Sequence, residues 1–136
     1  MKRTWFLTIA GGIALLVGGI ASLAPEWVLL GKGVPIEAAV LVWVREVGVA
    51  ILAIGGMSLA LRRHADSPAL RVFLLGNAAH QVMLAPIEVV AYLDGTIPKL
   101  GGILPNTVLH VLLAAGFLAY GLGSRLSGAD DSRPAS

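Results

Sequence analysis

Ionisable and amide side chains interrupt three long apolar segments of this 136-residue chain. A charged or strongly polar side chain at membrane depth is costly unless it is paired or hydrated, so such residues often mark binding sites or proton pathways. They are Arg45 and Glu46 in the second segment, Asn77, His80, Gln81 and Glu88 in the third, and Asn106, Thr107 and His110 in the fourth.

The depth of these side chains decides which of them can meet. At about 1.5 Å per residue, Arg45 lies roughly 12 Å, Glu88 roughly 8 Å and His110 roughly 10 Å from the outer ends of their predicted helices. We therefore predict an Arg45–Glu88 ion pair with His110 as a third member. The pair has two interpretations, a functional site or a structural pair that fixes helix register. His80 lies deeper, roughly 20 Å from the outer surface.

Helical phase places several polar residues on shared faces. His80 and Glu88 lie on a four-residue repeat flanked by Gln81, and Asn106 and His110 are also four residues apart. Residues at this spacing share one side of a helix. Glu46 directly follows Arg45 and points about 100° away from it, so its partner stays open. The predicted pocket residues are Arg45, Glu46, His80, Gln81, Glu88, Asn106 and His110.

The composition indicates that membrane-spanning helices position these residues. Hydrophobic residues make up 57% of the chain and charged residues only 13%, whereas soluble domains carry about 25% charged residues. A membrane-spanning helix needs about 20 mostly apolar residues. We predict an all-α, four-helix transmembrane bundle in one domain, residues 1–123, followed by a polar tail, residues 124–136. The predicted helices cover residues 5–24, 36–61, 69–93 and 103–122.

The distribution of basic residues predicts the orientation. Seven of the nine Lys and Arg residues that flank the helices lie on one side, which the positive-inside rule assigns to the cytoplasm. We expect a multi-pass protein of the cytoplasmic (inner) membrane with both termini inside. The first segment follows Lys2 and Arg3 as in a signal peptide, but its apolar run is longer than usual, which favours a retained helix.

Small residues recur at four-residue spacing in three helices, a pattern that lets helix backbones approach closely. This pattern favours tight packing within the chain, and a homodimer through one of the stripes stays open. The stripes are Ala10, Ala14, Gly18 and Ser22 in the first helix, Gly48, Gly56 and Ala60 with Gly55 beside them in the second, and Ala115, Ala119 and Gly123 in the fourth.

Three motifs resemble the small four-helix bacterial membrane proteins of the DoxX-like type. They are Arg45-Glu46-x-Gly48 with Gly55-Gly56, then Gly76-Asn77-Ala78-Ala79-His80-Gln81 leading to Pro86-Ile87-Glu88, and Pro105-Asn106-Thr107-x-x-His110. The resemblance implies a four-helix membrane fold. Some such proteins resemble membrane subunits associated with quinone or sulfur redox chemistry, and no catalytic residue follows from the likeness.

These observations favour a binding protein over an enzyme. We expect a polar pocket near the outer leaflet that binds a lipid-like or quinone-like molecule or a partner subunit. The alternatives are a small enzyme with Glu88 and His110 as acid and base, and a proton or ion pathway. We predict no metal site and no cofactor other than a quinone. No basic run alternates with aromatic residues, so we expect no nucleic-acid partner.

Overall fold

The computed structural model describes residues 2–123, which form a bundle of five α-helices. The helices are α1 (Arg3–Leu23), α2 (Pro25–Lys32), α3 (Ala38–Leu61), α4 (Pro68–Leu93) and α5 (Leu100–Gly123). The predicted tail lies outside the described residues, as do Arg125 and Arg133, which contributed to the predicted orientation. The helix α2 and the α4–α5 loop lie at the same end of the bundle, which we call the α2 end.

The four long helices confirm the predicted all-α transmembrane architecture. Each of α1, α3, α4 and α5 is long and apolar enough to cross a bilayer. Their outward surfaces are rich in large apolar side chains, such as Leu16, Val72 and Leu112, each more than 60% exposed. Such a surface is compatible with the hydrocarbon core of a bilayer, because apolar side chains need no hydrogen bonds and lipid tails offer none.

The segment that follows α1 contains a helix that sequence reasoning had assigned to a connector. Pro25 occupies the first turn of α2, Glu26 lies in that turn, Lys32 lies in the last turn, and Gly33 ends the helix with a φ of 75°. Each feature is a known boundary signal, because Pro fits the first turn, charges complement the helix dipole, and Gly accepts a left-handed conformation. The Nζ of Lys99 also donates to the carbonyl of Leu30, 3.2 Å away.

Glycines bring α1 and α3 into close backbone contact. A Cβ atom added at Gly18 would lie 2.8 Å from the carbonyl oxygen of Gly48, and one added at Gly55 would lie 3.0 Å from that of Gly11. The contact therefore follows a seven-residue spacing on both helices. Ala14, Gly18 and Ser22 of the predicted α1 stripe take part in this contact. Gly56 does not, because the space beside it is open, and the residues of the α5 stripe are exposed: Ala115, Ala119 and Gly123. The homodimer that the stripes left open stays a prediction.

The packed core occupies the end of the bundle opposite α2. Leu7 of α1 and Leu74 of α4 are completely buried there, and Phe117 of α5 is 2% exposed. The ring of Phe6 packs edge-on against that of Phe117, with centroids 4.9 Å apart. Arg3 also bonds to Asp66 in the α3–α4 loop. This end is closed, so open space between the helices lies toward α2.

Candidate functional site

A cavity of about 630 Å³ lies between the α1–α3 pair and the α4–α5 pair, and α2 contributes to its wall. All five helices line it, mostly with apolar side chains such as Val17, Trp43, Ile51 and Leu109. The volume falls within the usual range of small-molecule sites, about 300–1,000 Å³. The shape and lining therefore suit an apolar molecule.

One wall of the cavity carries a continuous chain of polar side chains. Lys32 donates to Oε1 of Glu88, and the Nδ2 of Asn106 donates to the same oxygen over 2.9 Å. The same amide nitrogen lies 3.0 Å from Nε2 of His110. On the other side of the ring, Nδ1 of His110 lies 2.5 Å from Oε1 of Gln81. The chain therefore links three helices, α2, α4 and α5.

Each ring nitrogen of His110 contacts a polar side chain. In a neutral imidazole protonated on Nδ1 both contacts are hydrogen bonds, because Asn106 donates an N–H to Nε2 and Nδ1 donates to the carbonyl oxygen of Gln81. Both ring nitrogens are occupied, and His110 holds Asn106 and Gln81 in place.

Local sequence explains how the helices position this wall. Asn106 and His110 are one turn apart on α5, and Gln81 and Glu88 are two turns apart on α4, so each pair faces one side. Gly102 lets α5 approach α2 closely, because a Cβ atom there would lie 2.6 Å from the Cα of Lys32. From this position against α5, the Lys32 ammonium reaches Glu88 on the neighbouring α4.

Two buried polar atoms of cavity-lining residues have no hydrogen-bond partner within residues 2–123. They are Oε2 of Glu88 and Nδ1 of His80. Buried polar groups are nearly always hydrogen-bonded, and an unsatisfied one costs about 1–3 kcal/mol. The Glu88 oxygen can only accept when ionised, whereas the His80 nitrogen can donate or accept according to its tautomer.

Five of the seven predicted pocket residues line the cavity: His80, Gln81, Glu88, Asn106 and His110. Arg45 and Glu46 do not line it and lie on the exposed side of α3. The predicted Arg45–Glu88 pair was wrong. Arg45 lies 3.6 Å from Glu26 of α2, while Glu88 is bonded by Lys32 and Asn106. Equal depth did not bring Arg45 and Glu88 together, because they face different directions around the bundle.

Sequence reasoning missed Lys32 as a site residue because it was read as a loop charge. The boundary signals of α2 could have revealed it, since they place Lys32 in the last turn of a helix. The depth of His110 also changes. Because α5 begins at Leu100, His110 lies roughly 15 Å from the end of its helix, within reach of Gln81.

The four long apolar helices define a class, a small multi-pass integral membrane protein. The chain matches no protein-family model, and comparisons with curated proteins and with solved structures find no significant match. In the part of the chain that the structure describes, no three His, Asp or Glu side chains are grouped so that they could hold a metal ion.

Proposed function

We propose that this protein binds an apolar molecule with a hydrogen-bonding head group, lipid-like or quinone-like, in the cavity between its two helix pairs. The observation that carries the proposal is the combination of an apolar cavity with unpartnered polar atoms on Glu88 and His80. A bound molecule would place its apolar part against the side chains of α1 and α3. Its head group would meet the polar wall of α4 and α5.

The charges of the site favour a neutral head group with a hydroxyl or another donor. Lys32 and Glu88 neutralise each other, so the cavity lining within residues 2–123 leaves no Lys or Arg for a phosphate or carboxylate. The free Oε2 of Glu88 is an acceptor and calls for an N–H or O–H group. Hydrogen bonds to charged groups contribute about 1.5–3 kcal/mol, so this one contact adds substantially to affinity.

The occupied nitrogens of His110 support binding rather than acid–base catalysis by that residue. A general acid or base must reach the proton that it transfers, directly or through one water. The two His110 nitrogens already contact Asn106 and Gln81.

The proposal includes a family likeness and a location. The sequence motifs support the likeness to DoxX-like proteins, and the flanking Lys and Arg residues support a location in the cytoplasmic membrane with both termini inside.

Photo-crosslinking tests whether the cavity holds a discrete ligand. A benzophenone amino acid would replace Ile51, which lines the cavity, or Val111, which is 58% exposed on α5 and does not line it. At position 51 we expect a single adduct whose mass differs from those of the bulk phospholipids, and at position 111 a mixture of bulk phospholipid adducts. Identical adduct mixtures at the two positions would contradict the proposal.

A second pair of variants tests the polar wall. Glu88→Leu removes the free carboxylate oxygen, and we expect it to abolish the discrete adduct at position 51. Arg45→Leu removes a charge that does not line the cavity, so this variant should keep the adduct. Equal adduct yields in the two variants would show that the polar wall does not select the ligand.

A further inference from the structure

Two neighbouring charges on α3 face away from both the cavity and α1. Arg45 and Glu46 are exposed and do not line the cavity. The Arg45 side chain is 48% exposed, and its Nη2 lies 3.6 Å from Oε1 of Glu26. Across residues 2–123, no hydrogen bond or ion pair reaches Glu46. Within these residues, a single copy therefore leaves this carboxylate without a partner.

The position of Glu46 along α3 places it within the hydrocarbon. Helix α3 has 24 residues, a length of roughly 36 Å against a hydrocarbon thickness of roughly 30 Å. Glu46 lies eight residues after Ala38, roughly 12 Å along the helix and therefore roughly 9 Å beneath the hydrocarbon boundary. Charged residues at such depth almost always pair or face a protein interior.

The face of α3 that follows Glu46 is exposed, and its side chains are mostly small. Val49, Ala53, Gly56 and Ala60 follow Glu46 at spacings of three and four residues, and all are exposed. A Cβ atom added at Gly56 would meet nothing within 4 Å. Small residues at this spacing let a second helix approach closely within a membrane. We name this surface, Glu46 to Ala60, the free α3 face.

We propose that a second copy of this chain docks on the free α3 face, forming a two-fold symmetric dimer with reciprocal ion pairs between Glu46 and the partner's Arg45. Both copies insert in the same orientation, so the two-fold axis runs along the membrane normal and equivalent residues lie at equal depth. Arg45 and Glu46 are consecutive, so each side of such a contact offers one cation and one anion. The surface is therefore complementary to itself, as a two-fold interface requires.

The dimer satisfies both charges without breaking a contact within the chain. Arginine has five N–H donors, so Arg45 can bond a partner carboxylate and keep its contact with Glu26. Glu46 gains a cation that residues 2–123 of its own chain do not provide. The cavity lies on another side of α3, which presents Trp43, Val47 and Ile51 to it, so this inference goes beyond the proposed binding function and does not depend on it.

Cysteine crosslinking in proteoliposomes of the full chain locates the interface, because the chain has no native cysteine. We expect Ala53→Cys to form a disulfide-linked dimer on oxidation. Leu112→Cys serves as the control and should stay monomeric, because Leu112 is 64% exposed on α5, away from the free α3 face. Equal crosslinking of the two variants, crosslinking of Leu112→Cys alone, or the absence of a disulfide-linked Ala53→Cys dimer would overturn the proposal.

Charge exchange tests the ion pairs themselves. Arg45→Glu and Glu46→Arg each place like charges across the two-fold axis, so we expect at least a tenfold loss of dimer in single-molecule photobleaching in bilayers. The double variant, Arg45→Glu with Glu46→Arg, restores opposite charges and should recover the dimer. Full dimer in both single variants, or no recovery in the double variant when it folds, would overturn the proposal. If the exchanged variants do not fold, the crosslinking result decides.

Discussion

Removal of the Lys32 ammonium gives the sharpest test of the polar wall. Lys32 pairs with Glu88 across the α2–α4 boundary, and the two side chains are only 20% and 14% exposed. In Lys32→Met the Glu88 carboxylate loses its counter-charge but keeps its hydrogen bond from Asn106. The variant should therefore be less stable because a mostly buried charge stays without a cation.

The magnitude follows from the surroundings of the pair. Breaking a fully buried ion pair costs about 3–5 kcal/mol. The Asn106 bond and the remaining exposure reduce this, so we expect Lys32→Met to lower the free energy of unfolding by about 2–3 kcal/mol. Glu88→Gln leaves the Lys32 ammonium near the end of the bundle, where water is closer, and should cost about 1 kcal/mol.

The double variant separates the ion pair from side-chain packing. In Lys32→Met with Glu88→Gln no buried charge is left unpaired, so the double variant should be more stable than Lys32→Met alone. We expect a coupling energy of about 1–2 kcal/mol from the double-mutant cycle. Unfolding in mixed detergent micelles, followed by the fluorescence of Trp27 and Trp43 beside the cavity, measures each value. Additive losses, or an unchanged Lys32→Met, would refute the reasoning.

Three further predictions concern packing, helix capping and the α4–α5 loop. Gly18→Val forces α1 and α3 apart and should cost about 1–3 kcal/mol, whereas Gly19→Val, with open space beside it, should change stability little; equal losses in detergent unfolding would contradict the close contact. Ser67 caps α4 by accepting from the backbone of Leu70, so Ser67→Ala should cost about 1 kcal/mol, and an unchanged unfolding midpoint would contradict the cap. Two hydrogen bonds from Thr96 lower the pKa of Asp94, and the one from the Thr96 side chain has a larger effect than the one from its backbone amide. The loop is therefore stabilised above the unfolded pKa of Asp94 and loses this contribution as pH falls through the lower folded pKa. Thr96→Ala should raise the Asp94 pKa in a carbon-13 NMR titration, and an unmoved pKa would contradict the assignment.

The sequence was sufficient to predict the four long helices, because an apolar run of about 20 residues can satisfy its backbone hydrogen bonds in a membrane by forming a helix. It also predicted that His80 and Glu88 share a face, since a four-residue repeat is fixed by helix geometry. Five of the predicted pocket residues lie on one cavity for this reason. Periodicity along single helices was therefore the reliable part of the prediction.

The arrangement of helices around one another could not be read from the sequence. Depth fixes the height of Arg45 and Glu88 but not their direction, and the two residues bond different partners. The α1–α3 contact includes Ala14, Gly18 and Ser22 of the predicted stripe, but its next member toward the N-terminus is Gly11 and not Ala10. Ala10 instead joins the core near Leu74. Adjacent stripes on one helix are distinguished only by the neighbour that packs there.

Native mass spectrometry of two adjacent α5 variants tests the central claim most directly. Leu109→Trp fills the cavity, because Leu109 lines it, and Val108→Trp places the same indole on the exposed side of the helix. We predict that the gently purified wild-type protein and Val108→Trp carry the same stoichiometric apolar ligand and that Leu109→Trp lacks it. A wild-type protein without any bound species, or a ligand retained equally by both variants, would contradict the account.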